Sequence, residues 1–170
     1  MKEYRQHKYE VPEGATEIIL VRHGESRAAT ADNPFPLVEG QGDPELALQG
    51  RQQAIAIGER LKHLPIDAVY VTSLQRTVET AAPLCAHLEM EHRVVPDLRE
   101  VHLGDWEGGK FRIMVHENHP LYLKMHEEQR WDVIPGAESR QSLQERIGRA
   151  LHRIAQAHPS ELVVAVLHGG

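Results

Sequence analysis

The sequence predicts an α/β fold, a three-layer α/β/α sandwich around a mostly parallel central sheet. Two apolar, largely β-branched runs, 18–21 and 162–167, are typical of strands buried on both faces of a parallel sheet. Segments with helical periodicity alternate with predicted strands, which favours right-handed crossover connections. The composition, 41% apolar and 26% charged, is that of a globular protein rather than a disordered one.

The first predicted strand, Ile18–Val21, ends at Arg22 and His23, and we expect Gly24 to permit a backbone turn there. Taken alone, this step is equally typical of a surface loop. The last strand ends in the same way, in His168 followed by two glycines. Because ligands bind at the carboxyl ends of strands in open α/β sheets, we expect both histidines at one site, less than about 10 Å apart.

The segment after the first strand, 27–45, is rich in Pro, Gly and Asn, which predicts a long loop. Apolar residues at helical spacing then predict a helix over 49–64. Ala47 stands at its N-cap position and offers no side-chain acceptor, which costs the helix about 1 kcal/mol.

A second strand is predicted over 67–71, followed by a helix to residue 88 that Thr72 or Ser73 caps. A short strand over 93–95 and a loop over 97–109 come next. Two short helices are predicted within 110–129. The last helix begins at Ser139 and ends at His158-Pro159, with its apolar residues aligned on one face at Leu143, Ile147, Leu151 and Ile154.

Overall charge and cysteine content exclude several classes of protein. A net charge of −6 argues against a general nucleic-acid surface, so an anionic ligand needs a local cluster of cations. The single cysteine, Cys85, excludes an internal disulfide framework and favours a reducing compartment. No run of about 20 apolar residues predicts a membrane span, and residues 1–17 lack the apolar core expected of a signal peptide. We expect a cytoplasmic protein.

The stretch Arg22-His23-Gly24-Glu25-Ser26 resembles the signature of the histidine phosphatase (phosphoglycerate-mutase-like) superfamily. Three later stretches resemble its other blocks in the same order: 73–81, 98–108 and 168–170. The resemblance therefore covers the chain from about residue 18 to its end. Members of this family continue past the His-Gly-Gly step. The resemblance thus implies that residues 1–170 form a single histidine-phosphatase-like domain that lacks its C-terminal helix and strand.

Within this resemblance, His23 is the expected nucleophile, because a neutral imidazole can attack phosphorus and form a phosphohistidine. Its other ring nitrogen is then expected to donate to a backbone carbonyl. Arg22 and Arg76 are the expected phosphate clamp, since a guanidinium group matches two phosphoryl oxygens. His168 is expected as a third donor, protonated when phosphate is bound. The structural alternatives are a buried, satisfied histidine and a solvated helix arginine.

Glu100 is the expected general acid, because the family carries its acid at the glutamate that follows Leu-X. Such a role requires a carboxyl group that can hold a proton. Asp105 and Glu107 are competitors, although the family's Trp-Glu-Gly step implies supporting roles for Trp106 and Glu107. Ser26 either donates to phosphate or completes the turn. The family often carries Asn where this sequence has Ala29, and a second Gly where it has Ala137.

The resemblance implies a metal-independent phosphomonoester hydrolase that requires no cofactor. The block 101–108 resembles the phosphatase branch, and its partner is expected to be a small phosphorylated metabolite. A phosphoglycerate-mutase-type phosphotransferase and a non-catalytic phosphate-binding protein stay open as alternatives. The twelve histidines show no metal-ligand spacing, so no metal site is predicted. The physiological substrate is not determined by the sequence, and a homodimer stays open.

Overall fold

The computed structural model describes residues 2–7 and 9–170. The strands are β1 (Glu17–Arg22), β2 (Leu37–Val38), β3 (Gln41–Gly42), β4 (Ile66–Val71), β5 (His92–Val94) and β6 (Leu162–Leu167). The α-helices are α1 (Leu48–Leu61), α2 (Gln75–Leu88), α3 (Lys110–His116), α4 (Pro120–Glu128) and α5 (Arg140–Ala157). Short 3-10 helices cover Pro96–Leu98, Gly104–Trp106 and Trp131–Val133. Within the described residues, no helix is long and apolar enough to cross a membrane.

The central sheet has the strand order β1-β6-β4-β5, and all of its pairings are parallel. One face packs on α2 through a cluster that includes Val69, Leu84 and Val164. The opposite face packs on α5 through Tyr70, Ile154 and Val163. The predicted three-layer α/β fold with a parallel sheet is therefore confirmed.

β6 lies at the centre of the sheet, and its four middle residues are buried on both faces, as predicted. The same prediction for the first strand is wrong. Among the described residues, β1 pairs only with β6 and lies at the edge, so Leu20 on it is 56% exposed. The apolar run signals a strand of a parallel sheet, but it does not distinguish a central position from an edge position.

Helix boundaries differ from the prediction at two places. α1 ends at Leu61 rather than at residue 64, because Pro65 disfavours helical backbone in the residue before it. α2 is not capped by Thr72 or Ser73, since its N-cap is Leu74. Instead, the amide of Gln75 donates to Oδ1 of Asp43 at 2.7 Å, so the cap comes from the long loop. The cap of α5 is as predicted, since Ser139 Oγ accepts from the amide of Ser142.

Gly24 serves a purpose other than the predicted turn, because its φ is not in the left-handed region. A Cβ atom on Gly24 would lie 2.5 Å from the carbonyl oxygen of Gly50 in α1. A Cβ atom on Gly50 would in turn lie 2.0 Å from the carbonyl oxygen of Glu25. The two glycines therefore let the backbone of the 23–26 loop lie directly on the first turn of α1, which fixes the loop beyond β1.

Candidate active site

The two histidines that follow β1 and β6 lie beside each other at the carboxyl edge of the sheet. β1 and β6 are neighbours in parallel register, with Arg22 opposite Leu167, so the residues after them also align. The ring centroids of His23 and His168 are 5.1 Å apart. The expectation that they lie within about 10 Å of each other is confirmed.

His23 is held in the tautomer that a nucleophile requires. Its Nδ1 lies 2.7 Å from the carbonyl oxygen of Gly24, and because a carbonyl only accepts, Nδ1 carries the proton. Nε2 is then unprotonated and accepts from Nε of Arg76 at 3.3 Å. The pKa of His23 is lowered to about 4, mainly because the ring is buried. The hydrogen bond to Gly24 raises this pKa, whereas the nearby charge of Arg76 lowers it further. His23 is therefore a neutral imidazole at physiological pH.

The two predicted phosphate-clamp arginines border the same cavity as His23. Arg76 lies in the first turn of α2, is 7% exposed, and donates from Nη1 to the carbonyl oxygen of Gly42 at 2.9 Å. Burial lowers the pKa of Arg76, while the charge of Glu100 raises it. Arg22, at the end of β1, is exposed. The pair thus combines one fixed guanidinium with one that faces solvent.

His168 is buried and has an unused ring nitrogen. Its Nε2 lies 3.1 Å from Oγ1 of Thr72, whereas its Nδ1 has no hydrogen-bond partner among the described residues. Burial lowers the pKa of His168 to about 2, and the charges of Arg76 and His23 add to this effect. The predicted protonated form of His168 therefore requires an anion beside it, because burial among cations favours the neutral ring.

Glu100 borders the same cavity as His23 and Arg76, which the sequence predicted. Its Oε1 accepts from the amides of Val101 and Gly170, both at 3.0 Å. These two bonds leave Oε2 as the oxygen that can exchange a proton.

The competing carboxylates are placed differently. Glu107 accepts through Oε2 from the amide of Gly42 at 2.7 Å and through Oε1 from the amide of Leu103 at 2.8 Å. Trp106 beside it is 3% exposed and packs in a core cluster. Asp105 is exposed and does not border the cavity. The supporting roles expected for Trp106 and Glu107 are in agreement with these contacts.

Arg146 of α5 fixes the backbone that carries Glu100, and sequence reasoning did not identify this residue. Its guanidinium donates to both oxygens of Glu138, at 2.8 and 2.7 Å. It also donates to the carbonyl oxygens of Asp97, Arg99 and Glu100, at 2.9, 2.7 and 2.8 Å. Gln41 Nε2 adds a second bond to the carbonyl of Glu100, at 2.7 Å. These hydrogen bonds therefore hold the backbone of the loop that carries Glu100 in a fixed position.

Two cavities meet at Arg22, His23 and Arg112. The smaller cavity, of about 210 Å³, is also bordered by Arg76, Glu100 and several aromatic side chains. The larger one, of about 680 Å³, is bordered by mainly polar residues such as Gln53 and His116, and Glu100 does not border it.

Arg112 of α3 is the other site residue that sequence reasoning missed, because no spacing links it to His23. It donates from Nη2 to Oγ of Ser26 at 2.7 Å and from Nη1 to the carbonyl of Arg27 at 2.8 Å. Ser26 is 4% exposed, borders the larger cavity and orients Arg112; its donation to phosphate stays a prediction. Ala29, which replaces the family's Asn, also borders the larger cavity. Arg112 thus supplies a third cation beside His23.

The titratable side chains of the site do not form a metal cluster. Within residues 2–7 and 9–170, no group of three or more His, Cys, Asp or Glu side chains could hold a metal ion.

Comparison with known proteins agrees with this geometry. Residues 18–170 match the profile of the histidine phosphatase superfamily (branch 1). The chain belongs to this family. Phosphoglycerate mutase-like protein 4 of Arabidopsis thaliana is 40% identical over 158 residues, which cover 91% of this chain and 66% of that protein. The metal-independent phosphoserine phosphatase of Arabidopsis thaliana is 38% identical over 161 residues, which cover 91% of this chain and 65% of that protein.

The chain therefore spans just under two thirds of the length of these two relatives. Among solved structures, a mycobacterial glucosyl-3-phosphoglycerate phosphatase superimposes with a TM-score of 0.74 at 28% identity. That similarity covers 91% of this chain and 74% of the mycobacterial one. The histidine phosphatase family and its fold are thereby established for this chain.

Proposed function

We propose that this protein is a metal-independent phosphomonoester hydrolase that works through a phosphohistidine on His23. The observation that carries the proposal is the unprotonated Nε2 of His23, which faces a cavity shared with Arg22, Arg76 and Glu100. The family supports the same reaction, and a phosphatase is among the relatives in the comparison.

The proposed first step is attack of His23 Nε2 on phosphorus. The N–P bond forms, the ester P–O bond breaks, and the leaving alkoxide takes the proton from Glu100. Arg22, Arg76 and Arg112 stabilise the charge on the phosphoryl oxygens. In the second step water attacks phosphorus and gives its proton to Glu100, the N–P bond breaks, and inorganic phosphate is released. Glu100 is thereby restored as an acid.

A buried His168 with a free Nδ1 supports its proposed role as a donor to the phosphoryl group. When the dianion lies beside His23, its negative charge offsets the cost of protonating the buried ring of His168. A small phosphorylated metabolite as substrate and a cytoplasmic location belong to the same proposal. The latter is supported by the single cysteine, Cys85, which is buried.

A phosphoglycerate-mutase-type phosphotransferase is the second candidate, because a relative 40% identical is named a phosphoglycerate mutase-like protein. With 3-phosphoglycerate and catalytic 2,3-bisphosphoglycerate, the hydrolase proposal predicts that free phosphate appears faster than 2-phosphoglycerate. Faster isomer formation would establish the mutase instead.

The hydrolase proposal is tested with p-nitrophenyl phosphate in the presence of EDTA. We expect turnover in wild type and loss of at least about 10³-fold in His23→Ala, because the nucleophile is removed. His152→Ala changes an exposed histidine on α5 and is expected to retain wild-type turnover. Equal activity of His23→Ala and His152→Ala would refute the proposal, and so would inactive wild-type protein.

A further inference from the structure

The aromatic side chains of the smaller cavity bear on the kind of alcohol that the enzyme releases. We infer that its substrates are phosphate monoesters of small, uncharged, apolar or aromatic alcohols, which lie against an aromatic wall formed by Phe35, Trp106, Phe111 and Trp131. This inference rests on the hydrolase function proposed above.

The position of Glu100 determines which cavity receives the alcohol. In phosphoryl transfer the attacking and leaving atoms lie roughly in line, and the acid must be within hydrogen-bond reach of the leaving oxygen. His23 borders both cavities, but Glu100 borders only the smaller one of the two. The alcohol therefore leaves into the smaller cavity, and the larger cavity lies on the side of His23 away from the acid.

Three of the four rings of the wall, Trp106, Phe111 and Trp131, form a connected set. The ring centroids of Trp106 and Phe111 are 6.2 Å apart, and those of Phe111 and Trp131 are 5.7 Å apart. Trp106 is buried beneath the cavity, whereas Phe111 and Trp131 are half-buried and border its open space. Such a surface favours flat, apolar groups, since aromatic contacts add to the gain from removing apolar area from water.

The cations of the cavity are grouped at the phosphoryl end. Arg22, Arg76 and Arg112 all lie close enough to His23 for their charges to lower its pKa, which burial lowers most. The remaining charged groups that border the cavity are Glu100 and Glu107, and Glu107 is engaged through both oxygens. Arg112 also lies over the Phe35 ring, 5.2 Å from its centroid. A carboxylate on the alcohol would therefore compete with the phosphoryl group for the three guanidinium groups, and against the other rings its desolvation would not be compensated.

The open space of the smaller cavity matches a small alcohol. About 210 Å³ equals roughly seven water molecules at their liquid volume and is below the range of drug-sized sites. This space accommodates a phosphoryl group with one six-membered ring.

The test compares benzyl phosphate with O-phosphoserine, because both are esters of primary alcohols. We expect kcat/KM for benzyl phosphate to exceed that for O-phosphoserine by about tenfold or more, the scale of an aromatic contact. Equal or better turnover of O-phosphoserine would overturn the inference while leaving the hydrolase function in place. Failure to release phosphate from either ester and from p-nitrophenyl phosphate would instead overturn the hydrolase function itself.

Substitutions at Trp131 locate the preference. Trp131→Leu keeps an apolar side chain and should lower the benzyl-to-phosphoserine ratio about threefold to tenfold. Trp131→Arg supplies a cation and should lower the ratio further by improving the KM for O-phosphoserine. Leu123→Ala, at an exposed position on α4, is the matched control and should leave the ratio unchanged. A ratio that is the same in wild type and in folded Trp131→Leu would contradict the inference.

Discussion

Replacement of Arg146 by methionine removes the guanidinium that joins α5 to the loop of Glu100 and keeps most of the apolar stem. Five hydrogen bonds are lost, two to the carboxylate of Glu138 and three to carbonyl oxygens of residues 97, 99 and 100. The side chains of Arg146 and Glu138 are 17% and 10% exposed, so the carboxylate stays desolvated without its partner.

Breaking a buried ion pair from one side costs about 3–5 kcal/mol of unfolding free energy. At about 2–4 °C per kcal/mol for a domain of this size, the Tm should fall by about 6–20 °C. Burial raises the pKa of Glu138, but the hydrogen bond and charge of Arg146 outweigh it, so the pKa lies below its ordinary value. The Arg146–Glu138 pair stabilises the fold fully above the ordinary pKa of Glu and less as the pH falls. The destabilisation caused by Arg146→Met should therefore be smaller in acid.

The assay is thermal unfolding followed by circular dichroism at pH 7 and pH 4, combined with phosphate release. Arg153→Met on the same helix is the control, because its ion pair with Asp97 is exposed and contributes at most about 1 kcal/mol. Among folded molecules, Arg146→Met should slow hydrolysis of benzyl phosphate more than that of p-nitrophenyl phosphate, whose leaving group needs less protonation. A Tm within about 2 °C of wild type would refute the reasoning.

Three further predictions concern packing and protonation. Gly50→Ala should unfold at a lower temperature than wild type, because its Cβ would lie 2.0 Å from the Glu25 carbonyl oxygen. In Gly148→Ala, on α5, the new Cβ meets nothing within 4 Å, so the free energy of unfolding should rise by about 0.5–1 kcal/mol. Equal Tm values for the two variants would contradict this reasoning. In an NMR titration, His23 should stay neutral down to about pH 4, and a midpoint near 6.5 would contradict its burial. Sulfate binding at pH 6 should take up a proton that His168→Gln does not take up, measured by calorimetry in two buffers; identical uptake would place the proton elsewhere.

The sequence was sufficient for the parts of the fold that depend on local pattern. The uninterrupted apolar run of β6 predicts a strand of a parallel sheet, and Ser139 predicts the start of α5, because both signals lie within a few residues. The predicted cap of α2 was wrong, because the acceptor for the Gln75 amide is Asp43, which is 32 residues away in the chain. Gly24 was rightly singled out for the wrong reason, since its close neighbour Gly50 is visible only in three dimensions.

In the candidate site, too, the residues that local pattern predicts differ from those that only tertiary contacts reveal. The placement of His23 and His168 follows from two strands that each end in a His-Gly step, and the structure brings their rings together. Arg112 and Arg146 lie on helices that carry other basic residues, so nothing in the sequence distinguishes them from solvated arginines. Their importance comes from tertiary hydrogen bonds to Ser26 and to the Glu100 carbonyl, which no local pattern encodes.

The central claim is a covalent phosphohistidine on His23, and rapid quench with mass spectrometry tests it most directly. Wild-type protein, mixed briefly with a phosphomonoester and quenched in alkali, should carry an acid-labile, base-stable phosphoryl group on the peptide that contains His23. Glu100→Gln should slow both its formation and its breakdown, because the same carboxyl group acts in each step. Absence of the label from wild type, or its presence in His23→Ala, would contradict the claim.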